Sequence, residues 1–582
     1  MRNRTSTAER RTWFAPLTVL LVCAAICSTS AFAQSSSTPK DTITTVRGRV
    51  LNSVTKEPVA RALVVTAGDN AAAMTDDRGQ FELKIATPEV GRNVVASGPG
   101  GRFGTARIRG AFQVRKPGFV QDGRSSMQSL SNGEQGEVTL YLTPEALIVG
   151  HVTVPGPEGD VRIQCQLYAH GMREGQETWT PTQMFLTWAD GEVRFSDLKA
   201  GTYKLVTHEQ IDRETLQPGP GAQMFGYPPI YYPNTTDFSL AAPIVVHAGE
   251  TVEVNLTVAR RPYYSVRIPI ANAPASPAIR VTVYPMGHHS PGWSLGYNPM
   301  EQAIMGMLPD GHYTVEADSM GEAQSTGIMN FSVQGAPFEG QRLNLVPNTT
   351  VSVNVAWATQ AGQREAEAEN AGAGIIDNER QRRLNVQVML MPISELNPSR
   401  VSIARPAEGQ DNNSLAIENV RPGRYRMNVV GGVGYVAAME SGGTDLMKQP
   451  LVVGNGGAVP PIEVTLREDG AEVSGTVEEE DANGNPRQNE NDANTRFVYL
   501  LPTAEGIAQM KQAPTSRDGA FRFEQVPPGD YVAVAFEEPQ RELPYGSEEA
   551  LRGLAAKGQK IQVDAGQKLS LKVKVIAEGE IE

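Results

Sequence analysis

One phrase recurs along the chain. Aligned on a glycine, VRFSDLKAGTYKL carries Gly201 and Tyr203, AIMGMLPDGHYTV carries Gly311 and Tyr313, LAIENVRPGRYRM carries Gly423 and Tyr425, and FRFEQVPPGDYVA carries Gly529 and Tyr531. The glycines are 110, 112 and 106 residues apart. An equal step back from Gly201 lands on Gly91, in FELKIATPEVGRNVV, where Asn93 stands in place of the tyrosine. A spacing of about one domain length, kept through the chain, implies about five folding units.

Each position of the phrase has a physical role. Apolar residues stand eight, six and three places before the glycine: Phe521, Phe523 and Val526 in the last copy, Val193, Phe195 and Leu198 in an earlier one. The first two share one face of a strand. The Pro-Gly pairs at 422–423 and 528–529 suit a type II turn, with glycine at positive φ. The tyrosine opens the returning strand, its ring filling core and its hydroxyl reaching a backbone group, as in a tyrosine corner.

Other strands repeat too. PIVVHAGETVEVNLTV and IQVDAGQKLSLKVKV close two units, and VRGRV, IVGHVTV and AEVSGTV open others. Alternating strands, short polar turns and little helical periodicity predict an all-β chain, a tandem array of about five β-sandwiches. The units are placed at 43–145, 146–260, 261–357, 384–468 and 469–577, joined into a rod. The segment 358–383, rich in Ala, Glu, Gln and Arg, reads as a linker or insertion. A helical patch is expected at 546–558.

The N-terminus reads as an export signal. Arg2, Arg4, Arg10 and Arg11 precede the apolar run LTVLLVCAAI, and Ala31-Phe32-Ala33 forms a cleavage site, so residues 1–33 are expected to be removed. A lipid anchor at Cys23 or Cys27 competes with this reading, but Val22 and Ile26 stand where a small residue is wanted. No later run is long enough for a membrane helix. The expected location is the periplasm, the outer cell surface or the extracellular space. Losing four arginines and Glu9 takes the formal net charge from −13 to −16, which argues against nucleic-acid partners. Cys165 is then the one remaining cysteine, on the inward face of VRIQCQL, so each unit must be held by packing rather than by disulfides.

In VRGRVLNSVTKEPVARALVVTAGDNAAAMTDDRGQFELKI, Gly48 and Val50, Pro58, and Thr75, Asp76, Gly79 and Phe81 fall in a recognisable order. The stretch resembles a carboxypeptidase regulatory-like domain, a transthyretin- or prealbumin-like sandwich. The last unit follows in outline through Gly475, Val477, Pro486, Asp518, Gly519 and Phe521. The resemblance implies this fold and an exported setting, and loosely a carbohydrate-binding-like role; fold alone does not fix function.

Candidate chemistry is sparse. His247-Ala-Gly-Glu250 has the residue types of a zinc peptidase motif. In the repeat, however, VVHAGET aligns with QVDAGQK, so His247 matches Asp564 and Glu250 matches Gln567, and the segment reads as a turn. DANGNPRQNEND, 481–492, sets Asp481, Asn483, Asn485 and Asp492 in a calcium-loop register, but Pro486 stands where glycine is wanted. No nucleophile elbow, phosphate loop or dinucleotide fingerprint occurs. No enzyme, cofactor or metal is expected. Aromatics give the regional signal: Trp179, Trp188, Tyr231, Tyr232 and Trp293 are the candidate ligand contacts, and the loops GQETWTPTQ and FGYPPIYYPNTTDF lie outside the repeat skeleton. The competing reading packs these rings against their own or a neighbouring unit. The expected function is a binding or scaffold protein of the cell envelope or surface, with a glycan or a protein as ligand. A pure spacer or adhesion stalk is the alternative, and a peptidase-associated zinc protein a distant one.

Overall fold

A computed structural model describes residues 42–576 apart from 67–70, 88–96, 99–100, 103–111, 122–137, 156–160, 174, 213–222, 274–277, 322–323, 359–385, 395, 397–400, 407–413, 432–433, 479–495, 504–509, 517, 538, 541–542, 547–548 and 550. The chain is all-β, a tandem series of β-sandwiches. The expected export signal, Gly91 with Asn93, and the 481–492 loop lie outside the described residues. So does nearly all of the Ala/Glu-rich segment.

The second repeat shows the plan. The strand Ala146–Thr153 runs antiparallel to Glu192–Leu198 and parallel to Thr251–Thr257. The facing sheet is ordered Gln176–Leu186, Gln164–Arg173, Gly201–Thr207, Ile244–Val246. Alternation puts Ile148, Val193, Phe195, Leu205 and Leu256 between the sheets, with Cys165 fully buried among them. The parallel pairing of first and last strands recurs: Thr42–Asn52 with Val138–Pro144, Thr349–Ala358 with Ile462–Arg467, and Ala471–Glu478 with Lys568–Ile576. Five core clusters follow one another along the sequence, spanning 46–142, 146–258, 266–345, 351–466 and 471–573.

One strand departs from the sequence assignment. Thr349–Ala358, expected to close the third unit, lies at the centre of the fourth unit's sheet, between Ser414–Val420 and Ile462–Arg467. Val351, Val353 and Val355 fill the fourth core, and Trp357 packs against it. The third unit instead closes through an irregular segment: Val266 and Ile270 make parallel bridges to Phe338 and Leu343. The Ala/Glu-rich segment therefore separates the first strand of the fourth unit from its next, Gln387–Pro392, instead of separating two units. The 479–495 stretch occupies the same position in the last unit, after Ala471–Glu478 and before Phe497–Pro502. The expected helix is the short Arg552–Ala555, whose Leu554 packs with Leu551 over Val532 and Val534.

The phrase itself is built differently from a type II turn. Gly201, Gly423 and Gly529 open the returning strand at φ of 159°, 156° and 152°, far from the value near +80° of that turn. The left-handed residue comes four places earlier: Asp197, Asn419 and Gln525 have φ of 56°, 57° and 52°. Each sits in a β-bulge, where the pairing register slips between Ala146 and Ile148, Thr349 and Val351, and Ala471 and Val473. The third unit lacks the bulge, and its strands pair without a slip from Tyr263–Pro309 to Pro269–Ala303.

The units are joined closely. Glu145 alone separates Val138–Pro144 from Ala146–Thr153, and three residues separate Thr251–Thr257 from Arg261–Pro269. The second unit also lends the strand Met224–Tyr227 to the third unit's sheet, against Arg261–Pro269. Buried Asp212 pairs with Arg260 at 2.7 Å beside that junction. Contacts reach beyond neighbours as well. Trp179 bridges to Leu396 of the fourth unit, and a Cβ on Gly175 would come within 2.3 Å of the Tyr545 carbonyl oxygen in the fifth. A rod in which each unit meets only its neighbours does not describe these contacts. Both contacts are made from the Gln164–Arg173/Gln176–Leu186 hairpin, Trp179 on its second strand and Gly175 at its tip.

Candidate binding cleft

Most of the candidate aromatics are used in packing. Trp179 and Tyr231 are buried in a satellite cluster with Tyr168, Val206, Phe238 and Ala241. The Lys204 ammonium lies 4.6 Å from the Trp179 ring centre and 4.7 Å from that of Phe238, and donates to the Phe238 carbonyl at 2.9 Å. The Tyr231 hydroxyl donates to the carbonyl of Pro291 in the third unit. Trp293 is half-buried edge-on to Tyr313, with ring centres 5.4 Å apart, and Tyr232 is half-buried against the second core. Trp179 lies within the strand Gln176–Leu186 rather than in the loop expected from sequence, and this strand and the loop that carries Tyr231 seal the junction of the second, third and fourth units, so neither ring has a free face for a ligand. Trp188 is the exception at 68% exposed, beside the exposed Met184, Phe185 and Leu186 of an edge strand.

His247 and Glu250 form the turn that the repeat predicts. The Glu250 carboxylate accepts the His247 backbone N–H at 2.7 Å and lies 2.7 Å from its Nδ1. Those hydrogen bonds hold the Glu250 carboxyl below its usual range. At the matching turn of the last unit the Gln567 side-chain oxygen accepts the Asp564 N–H at 2.8 Å. The side chain three places on therefore closes the turn in both units.

A concavity of about 1120 Å³ lies between the third and fourth units. Its floor is the outer face of the sheet built from Ile279–Pro285, Gly311–Ser319 and Ser325–Val333. With Val283, Val315 and Phe331 turned into the core, the alternate residues Arg280, Glu316, Thr326 and Ile328 face the cleft. The opposite wall is the fourth unit's repeat phrase, from Glu418 through Arg421 and Arg424 to Tyr425, with Arg405 nearby. Ser239, His288 and His289 close one side.

Arg421 and the buried Asp318 form an ion pair that ties the two units. The Asp318 carboxylate also accepts the Thr326 hydroxyl at 2.9 Å. Burial pushes the Arg421 guanidinium below its usual range, and the neighbouring Arg280 adds to this, against the pull of Glu316. Glu316 accepts the Tyr284 hydroxyl at 2.6 Å. Arg280, Arg405 and Arg424 are exposed and pair with no carboxylate among the described residues. The lining thus sets four arginines against two glutamates in a chain whose net charge is −13.

Sequence reasoning did not single out these arginines. A signal was present: only the copy RPGR brackets its Pro-Gly with two arginines, where the other copies read KAGT, PDGH and PPGD.

No family model matches the sequence, and no curated protein matches it. Solved structures give distant likenesses. The Bacillus anthracis TIE protein is 9% identical, with 78% of this chain and 76% of that chain covered, at a TM-score of 0.15. The Streptococcal ancillary pilin is 13% identical over 54% of this chain and 98% of its own, at 0.16. Two B repeat units of the Staphylococcus aureus collagen binding protein are 10% identical over 69% and 94%, at 0.13. Likenesses at this level carry no argument about what this chain binds.

Proposed function

We propose that the exported chain is a non-catalytic binding and scaffold protein of the cell envelope or surface, and that the cleft between its third and fourth units receives the ligand, a glycan or a protein. The observation that carries this reading is the cleft itself. It is a large hollow of mixed polar and apolar lining between two units tied by the Arg421–Asp318 pair, with arginines that pair with no carboxylate among the described residues. The export signal and the resemblance to carboxypeptidase regulatory-like sandwiches support the setting. The strand pairings support units at 43–145, 146–260, 261–348, 349–468 and 469–577, the fourth carrying the Ala/Glu-rich insertion.

The spacer alternative makes the opposite prediction about binding. Panels of glycans and envelope proteins are passed over the immobilised mature chain. Saturable retention of one ligand, lost when Ala416→Trp fills the cleft, is the expected result. Silence across both panels favours the spacer.

A further inference from the structure

The unpaired arginines define the ligand more narrowly. Resting on the reading of the cleft as a binding site, we infer that it takes an acidic saccharide chain, whose carboxylate or sulfate groups are received by Arg280, Arg405 and Arg424.

Three features lead there. First, a guanidinium is a planar fork of donors that matches an oxyanion, and here three of them face one hollow and pair with no carboxylate among the described residues. Glu316 is already engaged by Tyr284, and Asp318 by Arg421 and Thr326, which leaves Glu418 as the one described lining carboxylate set against three arginines. Second, Arg280 stands close enough to Arg421 to disfavour the charge of that guanidinium, a repulsion that a bound anion relieves. Third, the rest of the lining mixes hydrogen-bonding groups, among them Ser239, Ser394, Ser402 and Gln324, with aliphatic side chains, among them Ile328, Ile393, Val401 and Ile403, which suits a sugar chain with hydroxyl edges and C–H faces. A pocket for a protein hot spot would instead present a buried aromatic or aliphatic recess. At about 1120 Å³ the hollow exceeds what a lone inorganic anion fills.

The test is titration calorimetry on the full mature chain. The probes are oligogalacturonate, its fully methyl-esterified neutral form, heparin oligosaccharide, poly-L-glutamate and inorganic sulfate. Saturable binding of oligogalacturonate or heparin oligosaccharide is expected, weakening as salt rises, with none for the methyl ester. Arg280→Gln, Arg405→Gln and Arg424→Gln should each weaken it about tenfold. All three side chains are exposed, so the melting profile should stay unchanged and a loss of folding cannot mimic the result.

Equal binding of the methyl ester overturns the inference, as does acidic-saccharide binding that all three variants leave intact. Binding of poly-L-glutamate alone assigns the cleft to an acidic polypeptide and overturns it too. Retention of a neutral glycan or a protein, with every acidic saccharide silent, sinks the ligand class while the binding role stands. Silence toward these probes and toward both panels sinks both.

Discussion

The Tyr531 hydroxyl donates to the carbonyl of Pro527, four residues back, at 2.9 Å. The same bond runs from Tyr203 to Lys199 at 2.9 Å, Tyr313 to Pro309 at 3.0 Å and Tyr425 to Arg421 at 2.8 Å. In each copy the ring folds across the intervening glycine, and a Cβ there would meet that ring. The Gly-x-Tyr spacing is the footprint of this arc: tyrosine bonds the carbonyl at the corner and its ring lies over the glycine, closely enough to exclude a Cβ at Gly311, where it would come within 2.9 Å of the ring.

Removing one hydroxyl while keeping the ring isolates the bond. Tyr531→Phe should cost the last unit about 1 kcal/mol, the usual net worth of such a bond. Native-state hydrogen exchange on the whole chain should show lost protection in 471–576 and none in the other units. Equal loss everywhere would mean that the five cores unfold as one.

The bulge residue makes a second prediction. Asp197 holds φ of 56°, a region that costs most side chains about 1 to 2 kcal/mol, and its own carboxylate helps raise the pKa of nearby Glu145, after burial. Asp197→Gly should stabilise the second unit by up to about 1 kcal/mol, and Asp197→Val should destabilise it by more than that. Urea midpoints of the two variants should move in opposite directions. Gln525 is a poorer choice, because its side-chain oxygen accepts the Gly470 N–H at 3.1 Å.

Much of the fold was legible because period-two alternation and the Gly-x-Tyr footprint are local. The tyrosine bond and the His247–Glu250 turn followed from aligning copies. Placing Thr349–Ala358 required knowing its partner, and its parallel mate, Ile462–Arg467, lies more than a hundred residues away. The left-handed residue was assigned to glycine because glycine tolerates it best, yet the bulge sets it on Asp197, Asn419 and Gln525. The cleft was hidden for a similar reason: Arg280 and Arg421 come from different units, and no local pattern brings them together.

The two tryptophans of the second unit should behave oppositely. Trp179 is packed under Lys204 and Phe238, so Trp179→Ala should cost about 3 to 5 kcal/mol and loosen the contact with Leu396. Trp188 is exposed, and Trp188→Ala should stay within about 0.5 kcal/mol. Thermal melts of both variants decide this, and a large loss at Trp188 would mean that the ridge is covered in solution.

Cys165 reports on opening of the second unit. It is fully buried, and burial pushes its thiol up to about 12, so little thiolate forms near neutral pH. Iodoacetamide should leave Cys165 unlabelled in the folded chain and modify it in urea. Rapid labelling without denaturant would contradict the packing of that core.

Glu209 makes the junction of the second and third units sensitive to pH. Its carboxylate accepts the Ser294 N–H at 2.8 Å, while its other oxygen is buried without a hydrogen-bond partner. Burial pushes its pKa up to about 8 from an ordinary value of 4.5. The folded state therefore holds a proton that the unfolded chain has released, and folding stability falls as pH rises from 4.5 to 8. Below that window both states are protonated, and above it the loss is complete. Glu209→Gln keeps a neutral acceptor for Ser294 and cannot ionise. Its stability advantage over the natural chain should grow by about 1.4 kcal/mol per pH unit across the window and then level off. Urea midpoints of both proteins across this range measure the difference directly, with every other titrating group cancelling. A difference independent of pH would show that Glu209 ionises as an ordinary carboxylate.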